Sequence, residues 1–301
     1  MDSSVAIVLL NWNGWAYTRP CLESIRRSGF ALEHVIVVDN GSEDGSADEI
    51  QRNFPRVQLI RKSVNTGFTG GNNTGIRAAR AQGYAYVMLL NNDTEVSPGF
   101  WKPLWAEINR HPEVGAVQPL IYYLHNKTLV WNAGGKYLSW LGISQTVRSV
   151  SEWKPYSTDW ITGCAFLVRT SLLEKVGLLD ERYFAYFEDV DWSLRIRKQG
   201  YELKVIPESV IFHEAGAASK TKQAGKEGFL DPRIHYLNVR NQLFHLRKYG
   251  RDPKSWLSWP FHLIKFVFFM GYFSLRGRKA KRNAVLSGIV DGVRFPINET
   301  K

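Results

Sequence analysis

The chain has 301 residues, 44% hydrophobic and 13% aromatic, with 39 Lys and Arg against 28 Asp and Glu for a net charge of +11. That composition excludes a disordered chain and provides for one large α/β domain with an appendage, or two modest domains. With only two cysteines, Cys21 and Cys164, a disulfide-stapled secreted scaffold is excluded and a reducing compartment is expected. The charge excess lies wholly in residues 214–301, residues 1–213 being balanced. A neutral body with a basic tail points to an anionic partner for the tail, nucleic acid or an anionic membrane surface. The start, Met1-Asp2-Ser3-Ser4, has no basic leader, and the apolar run 5–10 is too short for a signal peptide, so a cytoplasmic chain is expected.

In chain order, residues 5–10 read as a buried strand ending in Asn11-Trp12-Asn13-Gly14, followed by a helix over about 16–28. A second strand, 34–38, stops at Asp39-Asn40-Gly41-Ser42, and a short helix (46–53) and a third strand (57–60) follow. Strands alternating with helices at this spacing predict parallel βαβ units, with several polar strand ends on one crevice. The stretch from Asn65 to Gly75, rich in Gly and Asn, reads as a loop leading into a helix over 76–81. Its glycines allow close backbone approach to a ligand, and the helix start favours negative charge; an ordinary loop fits as well. It matches neither G-x-G-x-x-G nor the P-loop pattern.

Tyr86-Val87-Met88-Leu89-Leu90 predicts a strand buried on both faces and ends in Asn91-Asn92-Asp93. A carboxylate at that strand end either caps the next helix or holds a hard divalent cation. A helix over 99–110 and a strand over 114–117 follow. Residues 122–156, rich in Trp, Tyr and Gly, form a β-ribbon or an acceptor-shaping loop. Residues 160–168 read as a strand with a Gly kink, and 171–176 as one or two helical turns.

Glu188, Asp189 and Asp191 stand among aromatic residues at the start of a helix running to 198. At i,i+4 spacing Glu188 faces Trp192 and Asp191 faces Arg195, leaving Asp189 without an evident partner. Apolar surroundings would raise its pKa and suit a general base, while acids in a first helical turn are also an ordinary arrangement. Strands 203–206 and 209–212 flank Pro207 and end at His213, a structural histidine or a ligand. Residues 216–228 have the composition of a mobile loop able to close over a ligand. After a helix over 233–248, residues 256–273 are strongly apolar but interrupted by Pro260, His262 and Lys265, and Arg276, Arg278, Lys279, Lys281 and Arg282 follow. That pattern fits a helix in a membrane interface, or one packed on the body with a solvated basic face.

Together, Leu10-Asn11-Trp12-Asn13, Val37-Val38-Asp39-Asn40-Gly41-Ser42, the 65–73 loop, Asn91-Asn92-Asp93 and Phe187-Glu188-Asp189-Val190-Asp191-Trp192 resemble the inverting family 2 glycosyltransferases, most closely bacterial rhamnosyltransferases of cell-wall and surface-polysaccharide assembly. The resemblance implies an α/β, GT-A fold, a nucleotide-diphospho-sugar transferase with a Rossmann-like mixed sheet and a C-terminal helical extension. The catalytic domain would be 1–215, with a nucleotide-binding half of about 1–118 and an acceptor half of 119–215, and the extension 216–301 would meet a membrane surface. It implies that Leu10, Asn11, Trp12, Asp39, Asn40, Ser42, Asn65, Gly71, Asn73, Asn91 and Asn92 bind the nucleotide-sugar. Asp93 and His213 would hold Mg²⁺ or Mn²⁺, and Asp189 would be the base. Asn91 stands where the family has the first acid of D-x-D, which predicts weaker metal affinity. Trp160, Gly163, Glu188 and Trp192 are acceptor-side candidates. The implied donor is dTDP-rhamnose and the acceptor a glycan or lipid-linked glycan, without nucleic acid, on the inner face of the cytoplasmic membrane. A sugar-phosphate nucleotidyltransferase and a basic nucleic-acid-binding protein are the alternatives; the first would carry a basic Gly-rich loop after strand one, which Asn11-Trp12-Asn13-Gly14 is not.

Overall fold

The computed structural model describes residues 4–215, 220–225, 227–250 and 256–297. In chain order the first half carries β1 (Val5–Asn11), α1 (Trp15–Arg27), β2 (Val35–Asn40), α2 (Ser46–Asn53), β3 (Gln58–Lys62), α3 (Gly67–Ala81), β4 (Tyr86–Asn91), β5 (Thr94–Val96), α4 (Trp101–Arg110) and β6 (Val114–Tyr123). There follow β7 (Val130–Asn132), β8 (Gly135–Leu138), β9 (Ile143–Thr146), β10 (Tyr156–Ser157), β11 (Ala165–Arg169), α5 (Leu173–Val176), α6 (Glu188–Lys198) and β12 (Glu202–His213). The chain continues through β13 (Lys220–Gly225), β14 (Gly228–Leu230), α7 (Pro232–Tyr249), α8 (Ser258–Leu275) and α9 (Lys279–Arg294).

The main sheet runs β10-β12-β6-β11-β4-β1-β2-β3, with β5 on β12 and β7 on β6. Strands β4, β1, β2 and β3 are parallel, and β11 runs antiparallel between β4 and β6, so the sheet is mixed. Along β1 the side chains alternate between two cores: Val5, Ile7 and Leu9 pack on one face with Leu22, Ile25 and Leu104, and Ala6 and Val8 on the other with Ile76 and Ile196. Burial on both faces is why these strands read as unbroken apolar runs.

Two expectations of local structure are corrected. The Gly/Asn stretch is not a loop before a helix at 76; it is the first half of α3. A Cβ on Gly71 would overlap Leu10 Cδ1 and one on Gly75 would overlap Val8 Cγ1, so these glycines let the helix approach β1 closely. Helix propensity is overridden by packing that a propensity reading does not see. The two strands expected around Pro207 are one strand, β12, whose register against β6 shifts between Ile206 and Val210. A bulge there accommodates a residue that has no N–H to donate.

The chain divides into two compact units, residues 1–136, 146–184 and 188–215, and residues 137–145, 185–187 and 216–301. In the second, Val239, Leu243, Leu246, Phe266, Phe273 and Val285 form the core. Gly288 and Gly292 of α9 lie against the α7 backbone, where a Cβ would stand 2.8 Å from Tyr236 O and 2.9 Å from Arg240 O. Asp231 caps α7 by accepting from Arg233 N at 2.7 Å, with Pro232 in the first turn. Of the 216–228 segment expected as a mobile loop, residues 216–219 and 226 lie outside the described residues; the described part includes β13, which pairs with β14.

Candidate active site

The carboxyl ends of β1, β2 and β4 are tied by a chain of hydrogen bonds. Asn92 Nδ2 donates to Thr18 Oγ1 at 2.8 Å, and Thr18 Oγ1 donates to Asn11 Oδ1 at 2.7 Å. Asn11 Nδ2 donates to Asp39 Oδ1 at 2.7 Å, Ser46 Oγ at 2.8 Å and Ser42 Oγ at 3.1 Å. Asp39 Oδ2 accepts from Ser42 N at 3.1 Å. Asn11 and Asp39 are buried, so their amide and carboxylate order the strand ends. Trp12, by contrast, is 47% exposed at the end of β1, and Leu10 packs on Gly71. A second cluster shapes the turn before α3: Asn40 Nδ2 donates to Asn65 Oδ1 and Gly67 O, both at 3.0 Å, and Asn40 Oδ1 accepts from Thr66 N at 3.1 Å. Asn73 braces the chain across from α3, donating to Leu179 O at 2.8 Å and Glu181 Oε1 at 2.9 Å.

Asp93 and His213 are brought together by strand pairing. β5 runs antiparallel to β12 with Thr94 opposite His213, Glu214 N donates to Asp93 O at 3.0 Å, and His213 Nε2 lies 3.1 Å from Asp93 Oδ1. Trp131 stands edge-on to the imidazole, ring centres 4.3 Å apart. Burial disfavours the charged imidazole, but Cys164 and Asp93 beside it outweigh burial and push His213 up to about 10. His213 Nδ1 is buried without a hydrogen-bond partner. Among the described residues no group of three or more His, Cys, Asp or Glu is arranged to hold a metal ion. The carboxylate and the imidazole Nε2 beside it nonetheless form an oxygen and nitrogen donor set that suits Mg²⁺ or Mn²⁺. Asn91 closes the same corner from β4, its N donating to Cys164 O at 2.8 Å.

Asp189 joins this corner through Gly163. Its Oδ2 accepts from Gly163 N at 3.0 Å and its Oδ1 from Val190 N at 2.8 Å, so it has backbone partners, which local helix spacing did not show. Burial raises its pKa against those bonds. The thiol of Cys164, next in sequence to the Gly163 that holds Asp189, is pushed up chiefly by burial. Both cysteines are free. The hollows of about 530 and 500 Å³, around Phe30 and Phe54 and around Tyr156 and Arg197, lie elsewhere; chemistry and not volume singles out this corner.

Two acceptor-side candidates are buried. Trp192 is wholly buried, stacked on Phe166 at 4.8 Å with Nε1 donating to Gly177 O at 3.0 Å, so it is core. Trp160 is 6% exposed, its ring over Gly135 and its Nε1 on Lys136 O at 3.2 Å. Aromatic residues near acids look alike in sequence whether they face a ligand or a core. Thr18 and Cys164 were missed, since neither stands in a motif. Phe184, Tyr186 and Phe187, directly before Glu188, all have left-handed φ, of 64°, 72° and 75°, and nothing in bulky aromatic residues announces that. Phe184 O accepts from Thr69 N at 3.1 Å, over the first turn of α3.

Glu188 is 6% exposed, its Oε2 has no hydrogen-bond partner, and burial followed by the neighbouring Asp189 charge holds its pKa well above the ordinary range. A carboxyl raised in the folded state contributes stability when protonated at low pH, and that contribution is lost as pH rises through the folded pKa. Glu188→Gln is therefore expected to raise Tm at pH 8, by about 2–4 °C for each kcal/mol relieved, with a smaller change at pH 5; thermal unfolding at the two pH values checks it.

A mixed sheet of this order, with helices on both faces, is the GT-A fold of glycosyltransferases. The chain belongs to glycosyl transferase family 2, whose model matches residues 4–177. It is 29% identical over 237 residues to the N-acetylglucosaminyl-diphospho-decaprenol L-rhamnosyltransferase of Mycobacterium tuberculosis (strain CDC 1551 / Oshkosh), covering 71% of this chain and 76% of the relative. It is 23% identical over 252 residues to the dTDP-rhamnosyl transferase RfbF of Shigella flexneri, covering 82% and 81%. Among solved structures, the mannosyltransferase PcManGT from Pyrobaculum calidifontis in complex with GDP-Man and Mn²⁺ superposes with a TM-score of 0.57 at 15% identity, covering 96% of this chain and 87% of that one. The protein is a glycosyltransferase, and its similar relatives include rhamnosyltransferases.

Proposed function

We propose that the protein is an inverting transferase that moves rhamnose from dTDP-rhamnose to a hydroxyl of a lipid-linked glycan, at the inner face of the cytoplasmic membrane. The observation that carries the reading is the Asp93–His213 contact at 3.1 Å at the end of β12, beside the 163–164 segment whose Gly163 N–H holds Asp189 and whose Cys164 carbonyl receives Asn91 N. The names of the relatives support the donor sugar and the lipid-linked acceptor. In this reading the Asp189 carboxylate takes the proton of the acceptor hydroxyl while that oxygen forms a bond to the anomeric carbon. The bond from that carbon to the diphosphate oxygen breaks, and the nucleoside diphosphate leaves with the electron pair from the opposite face. The Gly163 and Val190 N–H groups aim Asp189, and its raised pKa makes the carboxylate a stronger base than a solvated one. Trp12 supplies an exposed ring for the nucleoside, while the Asn11-Asp39-Ser42 and Asn40-Asn65 clusters hold the loops that receive it. Asp93 and His213 would hold Mg²⁺ or Mn²⁺, which when bound supplies positive charge against that building on the leaving diphosphate.

Asp93→Ala is expected to weaken donor binding in Mn²⁺ by at least the roughly 10–100-fold that even an outer-shell partner of a metal ligand contributes. Calorimetric titration of dTDP-rhamnose with and without Mn²⁺ tests this, and wild-type affinity in the variant would remove Asp93 from the site. Transfer assays across dTDP-, UDP- and GDP-sugars test the donor; turnover with another sugar and none with rhamnose would overturn it.

A further inference from the structure

Helix α8 buries one face and leaves the other exposed among the described residues. Ser258, His262, Phe266 and Phe273 point inward and are buried. The opposite face is apolar as well: Leu263 is 61% exposed, Ile264 70%, Val267 55%, Phe268 67% and Leu275 90%. A helix lying against water carries polar residues there. Lys265, on the flank, sits over the rings of Phe266 and Phe269, 5.7 and 6.0 Å from their centres. The aromatic residues Trp259 and Tyr272, 41% and 42% exposed, stand near the two ends. No described helix is long and apolar enough to cross a membrane, and an exposed apolar face of this extent marks a contact surface.

The charge around the helix selects the occupant. Arg276, Arg278, Lys279 and Arg282 follow the apolar face, and no acidic residue occurs between Asp252 and Asp291. A second copy of the chain would offer no carboxylate from that stretch to meet those cations, whereas a layer of anionic headgroups meets them directly. We propose that the outward face of α8 lies in the interface of a bilayer containing anionic phospholipid, with Ile264, Val267, Phe268 and Leu275 at the acyl boundary and the 276–282 cluster on the headgroups. This contact rests on the reading of a membrane-linked acceptor for its purpose, since it holds the enzyme on the surface where such an acceptor is embedded.

The full chain is to be co-sedimented with vesicles of phosphatidylcholine alone and with added phosphatidylglycerol. Binding is expected on the anionic vesicles and falls with rising salt. Ile264→Asp/Phe268→Asp, at exposed positions, lowers it by tenfold or more with an unchanged circular dichroism spectrum. Arg276→Glu/Lys279→Glu lowers it on anionic vesicles by roughly fivefold for each cation removed and leaves binding to neutral vesicles unchanged. Undiminished vesicle binding by Ile264→Asp/Phe268→Asp would overturn the proposal, as would a dimer in lipid-free buffer that this variant dissociates in sedimentation velocity. Vesicle binding without transfer to any lipid-linked glycan would remove the proposed acceptor and leave the docking face standing.

Discussion

An Asp189→Asn enzyme is expected to lose roughly 10²–10⁴-fold in turnover while binding donor as the parent does, because the amide can still occupy the site but cannot take a proton. The variant is nearly isosteric, although its amide keeps only one oxygen to accept from Gly163 N or Val190 N, so rotamer and fold are checked by Tm. The pH profile of the parent gives a second reading of the same residue. Burial raises the Asp189 pKa, and the base must be ionised to act, so kcat/KM falls as pH drops through a value above the ordinary carboxylate range. Asp189→Asn abolishes that limb along with the rate. Wild-type turnover in the variant would move the base elsewhere, with Glu188 the adjacent carboxyl.

The largest expected effect on stability lies two residues on. Asp191 is wholly buried, Oδ2 accepting from Arg195 Nε at 2.8 Å, and Arg195 also donates to Leu178 O at 2.8 Å and to Val176 O. Removing one partner of a buried pair leaves an uncompensated charge, so Asp191→Ala is expected to destabilise by about 3–5 kcal/mol. At about 2–4 °C per kcal/mol that is a fall in Tm on the order of 10 °C. Asp191→Leu/Arg195→Met, which removes both charges, should recover part of the loss, since the Val176 and Leu178 carbonyls then lose the guanidinium. If the single variant melts with the parent, Asp191 does not hold the base of α6.

The three carboxylates of the Glu188-Asp189-Val190-Asp191 run thus take different roles, and local sequence distinguished only part of this. The pairing of Asp191 with Arg195 follows from helical spacing and was legible. Asp189's partner on Gly163 was not, because 26 residues separate them and the contact exists only once β11 and α6 are packed in the same unit. The strands β1, β2 and β4 were legible because a doubly buried strand has to be apolar throughout, whatever its neighbours. The first half of α3 was misread as a loop, since Gly and Asn are poor helix formers and their compensation, close packing on Val8 and Leu10, is a long-range fact.

What the sequence by itself determined is the class of chain: polar groups at the ends of alternating strands, an acidic helix start, a neutral body and a basic, aromatic tail. Each of these is a property of composition and spacing along the backbone. The tertiary structure decided which of those groups share a corner: it turned Asn11 and Asp39 inward, put Trp160 and Trp192 into the packed interior, and set Asp93 against His213. Strand order and pairing determine such neighbours, and they depend on how residues far apart in sequence bury one another.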